Sequence, residues 1–511
     1  MEISTAAEKL GCAKLLCNLE AEISVEGEWS IPEYLPEIFK IVKTKAEPVV
    51  VQKLAGGSRA TVDGYVRLNV LYQSAEDKRL YSVVQKLPFS KQFDIKEPYG
   101  EYGAILCDLR IGFLNCRATN RRRLDARGAV EASIKVLSQN PMEIAGDLAA
   151  DGVYTRTQDA DYCVLLADEE KQFTLDELLA IDYEGCENPA LLRADASAVV
   201  ESVVLESGRA VLTGYVNVAT SFDISSSEEY RIKRSAFNLP FSQVVDLSLA
   251  DTAGYTAVAN AGVISCTAEV AEEGNASCTV TCTIGVRVLE PQSSVLVTDA
   301  FSTTSELVLS AAPAAVNAAV FGVNEGFGVR FTAEKGVGRP IDFFISEGGV
   351  TIEKREGRDL LVGTATLCCL LRTDDAETDV AEHTFEYTVP LPQALRGTAL
   401  YELGALFTSV ECFDSEATWS AKCEGIVTGV VFDNCPLSVV CSVEEGGAKP
   451  QQRPGAALCV YYANAGESVW DIAREFNTSP GEIAVENDIE GERLEQSKPL
   501  LIPIVAAGGA N

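Results

Sequence analysis

Three stretches of this chain repeat one another at a spacing near 150 residues, and that period constrains the fold more than any other feature. Ser58-Arg59-Ala60-Thr61-Val62-Asp63-Gly64-Tyr65-Val66 is matched by Gly208-Arg209-Ala210-Val211-Leu212-Thr213-Gly214-Tyr215-Val216. A third version reads Gly357-Arg358-Asp359-Leu360-Leu361-Val362-Gly363-Thr364-Ala365. The aligned glycines lie 150 and 149 residues apart. Leu87-Pro88-Phe89 recurs as Leu239-Pro240-Phe241 and, more weakly, as Val389-Pro390-Leu391, and Cys116, Cys266 and Cys412 keep a similar offset. A period of this length predicts three copies of one folded unit, each long enough to bury its own core. The copies are expected at 1–148, which includes an N-terminal segment, at 149–298 and at 299–443.

Within each copy the pattern is that of antiparallel sheet. Residues 277–289 alternate small or polar side chains with Val, Cys and Ile, and 365–371 is rich in strand formers ahead of an acidic, hairpin-like break at 373–379. The shared glycine marks a bulge or a place where a side chain would obstruct. Two short helices are expected to interrupt the strands. Thr174-Leu175-Asp176-Glu177 has the form of a capping box opening a helix over 175–180, and Ile31-Pro32 leads toward a second over 37–43. The expected fold is mainly β: three sandwich- or barrel-like modules with minor helix.

After residue 443 the text changes. Residues 444–456 carry the Gly, Pro and polar content of a linker. Residues 457–505 read as a small βααβ unit with a strand at 458–462. Ser468-Val469-Trp470-Asp471 reads as a capping box ahead of a helix with Val469, Ile472, Ala473 and Phe476 on one face. Ser479-Pro480-Gly481-Glu482 opens a second helix, and a strand over 500–504 closes the unit.

Charge narrows the partners. Forty-two Lys and Arg against 75 Asp and Glu give a net charge of −33, a field that repels nucleic acid and anionic lipid. The start Met1-Glu2-Ile3 lacks the basic, then apolar, layout of a secretory leader, and no apolar run reaches spanning length, so a cytoplasmic location is expected. The 16 cysteines show no Cys-x-x-Cys spacing, and one histidine cannot complete the common zinc sets, so no metal and no cofactor is implied. Cys107, Cys266, Cys282 and Cys368 sit in apolar runs, as reduced thiols in a core do.

No catalytic constellation stands out. A cysteine-dependent hydrolase needs a histidine beside its nucleophile, and His383 lies in an ordinary alternating strand. Asp374, Asp375, Glu377 and Asp379 could be a calcium loop or paired acids, but their spacing fits a solvated hairpin tip. Arg121-Arg122-Arg123, at a turn after Asn120, reads as a solvated hairpin or as a contact for an acidic partner. The chain is therefore expected not to be an enzyme.

Two resemblances refine this picture. Gly466-Glu467-Ser468-Val469-Trp470-Asp471-Ile472-Ala473, Phe476-Asn477-Thr478, Asn487-Asp488-Ile489 and Leu501-Ile502-Pro503 resemble the LysM domain. That resemblance implies a shallow groove for N-acetylglucosamine polymers such as peptidoglycan, formed by Gly466, Glu467, Ser468 and Val469 with Ile489, Glu490, Gly491, Glu492, Arg493 and Leu494. The same surface, with Trp470, could instead dock a protein. The repeated Gly-Tyr-Val and Leu-Pro-Phe stretches, with Asp299-Ala300-Phe301-Ser302, resemble the SPOCS domain of bacterial spore-coat proteins. SPOCS repeats followed by one LysM domain are similar to a clostridial group of spore coat morphogenetic proteins. This implies a sporulation protein of the mother-cell cytoplasm, gathered at the developing spore surface. Its implied partners are a coat-basement ATPase and other coat proteins.

Overall fold

The computed structural model describes residues 4–504 apart from 101, 184–185, 187, 226–229, 250, 273, 335–337, 415–417 and 450–457. Among the described residues before 450 every regular element is a strand, and these strands fall into three sets of six. The first set is β1 (Ser4–Ser30), β2 (Ile38–Gly56), β3 (Arg59–Ser74), β4 (Leu80–Asp94), β5 (Tyr102–Asn120) and β6 (Arg123–Ala149). The second is β7 (Val153–Ala180), β8 (Ala190–Glu206), β9 (Arg209–Asp223), β10 (Ile232–Asp246), β11 (Thr256–Val270) and β12 (Asn275–Ser302). The third is β13 (Ser305–Glu334), β14 (Arg339–Arg355), β15 (Arg358–Arg372), β16 (Thr378–Pro390), β17 (Thr398–Asp414) and β18 (Thr418–Ala448).

Each set pairs in the same way. Its second, third and fourth strands form one antiparallel sheet and its first, sixth and fifth pair in another, giving β2-β3-β4 with β1-β6-β5 in the first unit, while the larger sheets of the second and third units join through β7 and β13 into one six-stranded sheet, β11-β12-β7-β13-β18-β17. The two sheets bury a common apolar core, in which Val62, Val66, Leu68 and Tyr72 of β3 meet Ile23 and Val25 of β1 and Val130 and Ile134 of β6. The shared glycine occupies one place in all three. Gly64, Gly214 and Gly363 lie on the central strand of the smaller sheet, beside a bulge in the preceding strand and opposite the rings of Phe89, Phe241 and Tyr387. A Cβ on Gly214 would stand 2.0 Å from the Val199 carbonyl oxygen, and one on Gly363 would stand 2.1 Å from the Tyr387 ring. Close approach of ring and backbone therefore excludes a side chain there.

That register corrects one sequence alignment. Pro88 and Pro240 pair with Tyr65 and Tyr215, one residue past the glycine, but Pro390 pairs with Leu360, three residues before it. The counterpart of Leu-Pro-Phe in the third unit is Phe385-Glu386-Tyr387, so Val389-Pro390-Leu391 matched by composition alone.

Both expected helices in the repeats are strands. Residues 175–180 continue β7, which pairs with β12 along its whole length. Phe173 and Leu179 point into the core with Leu175 packed against it, a period-2 pattern that overrides the local capping signal. Residues 31–37 form a turn, and β2 begins at Ile38. Their amides are taken by the β5–β6 turn: Ile31 N–H donates to the Arg122 carbonyl and Ile38 N–H to that of Arg121, at 2.9 and 2.8 Å. Arg122 also donates through its side chain to Pro32 O and Leu35 O, so this arginine clamps a neighbouring segment and is not simply solvated. The first part of the expected linker is a strand, and its remainder from residue 450 lies outside the described residues. Residues 444–448 extend β18 along β13, with Glu445 opposite Leu307 and Ala448 opposite Ser305, because Val440 and Val443 continue the apolar face of this ribbon.

The units close on one another. The fourth strand of the first unit packs on β8, β10 packs on β14, and β16 returns to β2, so the contacts run from one to two, two to three and three back to one. Ser82 Oγ donates to Leu191 O at 3.0 Å across the first junction, Ser221 Oγ to Asp342 at 2.9 Å across the second, and Lys40 to Asp379 at 2.5 Å across the third. Nine residues past each shared glycine stand Gln73, Asp223 and Arg372, and all three meet the hairpin tip of the first unit or its neighbours. Gln73 binds Lys78 O and Ala376 O, Asp223 accepts from Arg79, and Arg372 reaches Lys78 O while lying 3.8 Å over the Tyr230 ring.

Two ionic clusters are buried where the units meet. Arg287 of β12, 1% exposed, lies between Asp168 of β7 and Glu402 of β17, and Lys53 of β2 joins Glu402 and Glu170. In the other, Lys45 and Arg67 of the first unit meet Asp195 of the second, which also holds Arg193. Apolar residues from all six long strands, among them Leu10, Ile144, Tyr162, Leu296, Val316 and Val439, form a further shared core. None of the 16 cysteines forms a disulfide, and no helix among the described residues is long and apolar enough to cross a membrane.

Candidate functional site

The C-terminal unit is β19 (Leu458–Ala463), α1 (Val469–Phe476), α2 (Pro480–Glu486) and β20 (Lys498–Pro503), with β19 and β20 antiparallel. Val469, Ile472, Ala473, Ile483, Leu494, Leu500 and Ile502 form its core. The second helix starts as its sequence reads: Ser479 Oγ accepts from Glu482 N–H, with Pro480 at the first helical position. The first helix does not. Ser468 Oγ is buried and makes no cap, and the Val469 amide donates to Glu492 O at 3.0 Å instead. The second loop has taken the work of the capping box.

The loops expected to make a groove do lie side by side. Ser468 bridges Arg493, Gly466 N–H donates to Leu494 O at 2.7 Å, and Leu494 N–H donates to Glu467 O at 3.0 Å. Ser468, Val469 and Leu494 are buried beneath this seam and offer no surface, and Ile489 is half-buried. Gly466, Glu490, Gly491, Glu492 and Arg493 are exposed. Arg493 is tied back to the Gly466 carbonyl at 2.9 Å. The Glu467 carboxyl, hydrogen-bonded by Asn464 and Tyr461, is held below the usual carboxylate range. The open part of the seam is thus short, polar and acidic.

Trp470 is not on that open surface. Its indole N–H donates to Asp299 Oδ2 of β12 at 2.9 Å, and its ring meets Phe301 edge-on at a centroid distance of 4.8 Å. Arg474, one helical turn on, pairs with the same carboxylate. Phe301, 3% exposed, belongs to the core of the C-terminal unit as much as to its own strand, and Tyr154 of β7 stacks behind it. Arg156 pairs with Glu492 at 2.8 Å, and Lys449 donates to both Ser302 O and Asn477 Oδ1 at 2.8 Å. A bulge between Val297 and Asp299 sets the register of this patch. Asp299, Phe301, Tyr154 and Arg156 were not readable as a dock. The available signal was Trp470 and Arg474 at i, i+4, a stripe of α1 apart from its core-facing residues.

Of the other sequence candidates, His383 stacks on Phe331 at 4.7 Å on β16, and Asp374 and Asp375 lie in the turn between β15 and β16. Lys40 pairs with Glu377 and Asp379 beside that turn, which ties the acidic tip to the first unit.

Residues 37–116 match the family model described as SipL, SPOCS domain. The matched stretch takes in β2, β3, β4 and most of β5, so it includes the glycine strand and the smaller sheet that recur in the second and third units. No curated protein and no solved structure matches the chain.

Proposed function

We propose that this chain is a non-enzymatic spore-coat assembly scaffold, built from three SPOCS-like units and one LysM-like unit. The observation that carries the reading is the SPOCS match at 37–116 together with the recurrence of the same two-sheet layout, glycine included, at 153–302 and 305–448. The order of parts is similar to that of clostridial SipL. By that similarity the protein acts in the mother-cell cytoplasm at the surface of the developing spore, where its C-terminal unit engages a coat-basement ATPase and the triple body meets other coat proteins. The exposed Glu490, Gly491, Glu492 and Arg493 form the contact edge, and their charge supports a protein partner over a neutral glycan, since charge complementarity steers protein association.

The test is co-sedimentation of the full-length chain with the purified basement ATPase and, separately, with peptidoglycan sacculi. Binding to the ATPase that is lost in Glu490→Arg/Arg493→Glu is the expected result. Binding to sacculi alone would transfer the site to N-acetylglucosamine polymers, and binding to neither would remove the reading.

A further inference from the structure

The second repeat covers one end of the loop seam. Trp470 follows Val469, whose amide donates to Glu492 O at 3.0 Å, so the first turn of α1 and Glu492 are neighbours. The body engages both: Asp299 and Phe301 take the Trp470 indole, and Arg156 takes the Glu492 carboxylate. Glu490, Gly491 and Arg493 are left exposed. The contact has one deeply buried anchor, Phe301, whereas the side chains of Asp299, Arg474, Arg156 and Glu492 all keep access to water. It also works against itself. Arg474 Nε is buried without a hydrogen-bond partner, and burial together with the Arg474 charge holds the Lys449 amine below its usual range in spite of Glu306. Both groups regain water when the unit lifts off, so closure is opposed as well as favoured.

We propose that this dock is an autoinhibitory latch: in the closed state the second repeat occupies the Trp470 and Arg474 stripe of α1 and the Glu492 end of the seam, and the partner of the seam binds the released unit. The inference rests on the reading of the seam as the binding edge. Trp and Arg are the side chains that most often dominate contacts between proteins, and here both are spent on an internal contact. A ligand that takes only the released form binds with an apparent Kd raised by the inverse of the open fraction, so loosening the latch tightens binding without adding any contact to the ligand. Asp299 and Arg156, which lie in the body and outside the seam, thereby set the affinity of the seam.

The test is the affinity of the full chain for the purified basement ATPase in the parent, in Asp299→Ala and in Arg156→Ala, with folding checked by circular dichroism. Asp299→Ala removes two charged hydrogen bonds of the closed state and should tighten binding about tenfold. Arg156→Ala removes one half-exposed pair and should tighten it by a smaller factor, which provides a milder variant should Asp299→Ala fold poorly. Arg59→Ala, at an exposed cation of the first unit, should leave the affinity unchanged. Unchanged or weaker binding by the folded Asp299 and Arg156 variants, with the parent binding, would overturn the latch and leave the functional reading in place. Should the ATPase bind no form of the chain, that reading falls instead; peptidoglycan sacculi then replace it as the probe with the same expected gain, and no gain with sacculi overturns the latch as well.

Discussion

The indole N–H of Trp470 donates to the carboxylate of Asp299 at 2.9 Å, joining residues 171 positions apart and fastening the C-terminal unit to the second repeat. Arg474 shares the acceptor, so one carboxylate holds two donors of the same helix. The loop seam of the C-terminal unit is therefore held in a set direction from the triple body.

Replacing Asp299 by Ala removes both interactions at once. Hydrogen bonds to charged groups are each worth about 1.5–3 kcal/mol. The docked position should lose at least about tenfold in population, and Trp470 should enter a wetter environment. The expected outcome is a red shift of tryptophan emission that is absent when Trp470 is first changed to Phe. Unshifted emission would show that Asp299 does not hold the unit.

Arg287 is the keystone of the central ionic cluster. Removing one partner of a buried pair leaves the others uncompensated, at a cost of about 3–5 kcal/mol. Arg287→Ala should therefore lower the denaturation midpoint sharply, and Arg287→Ala/Glu402→Gln should recover part of the loss, as followed by circular dichroism in urea.

The shared glycines make a graded prediction. Gly214→Ala forces a Cβ against the Val199 carbonyl and should cost about 1–3 kcal/mol by overpacking, whereas Gly404→Ala, with nothing within 4 Å of the new Cβ, should stay within about 0.5 kcal/mol of the parent. Equal effects in urea melts would mean that the repeat motif is not a steric one.

Stability should depend on acid pH with a definite sign. Burial alone would raise the Asp195 and Glu402 carboxyls, but the charges of Lys45, Arg193 and Arg67 on the first, and of Lys53 and Arg287 on the second, outweigh it and hold both low. A carboxyl whose folded value is depressed adds stability that is complete above its unfolded value, about 3.9 for Asp and 4.3 for Glu, and is lost as pH falls through the folded one. Urea melts should be level in this respect from about pH 7 to 5 and weaken below about 4, with a shallower decline in Asp195→Asn.

The cysteines give an independent check on the core. Burial pushes the Cys107, Cys282 and Cys412 thiols up to about 12, so they should resist thiol reagents at neutral pH. A thiol-specific chromophore should count far fewer than 16 groups in the native protein and all 16 in denaturant.

Much of the fold was legible because the repeat and the period-2 alternation are written locally. The glycine strand could be read from Gly64, Gly214 and Gly363, since a steric exclusion recurs wherever the same close approach recurs. The helix expected at 175–180 failed because Leu175, Leu178 and Leu179 suit a helical face as well as a strand, and only pairing with β12 decides between them. Closure of the three units was not legible at all. Lys40, Lys43 and Lys53 look like ordinary surface lysines in the sequence, and their partners stand 339 to 349 residues away. The C-terminal unit was readable as βααβ, but its dock was hidden in Asp299 and Phe301 at the end of a distant strand.

Zero-length carbodiimide cross-linking of the native protein, followed by mass spectrometry, tests the closed arrangement most directly. Carboxyl and amine must touch to join, and the account predicts bonds from Lys40 to Asp379, Lys43 to Glu382 and Lys53 to Glu402 within one chain. Recovery of the Lys14 to Glu97 bond inside the first unit without any of these three would contradict it.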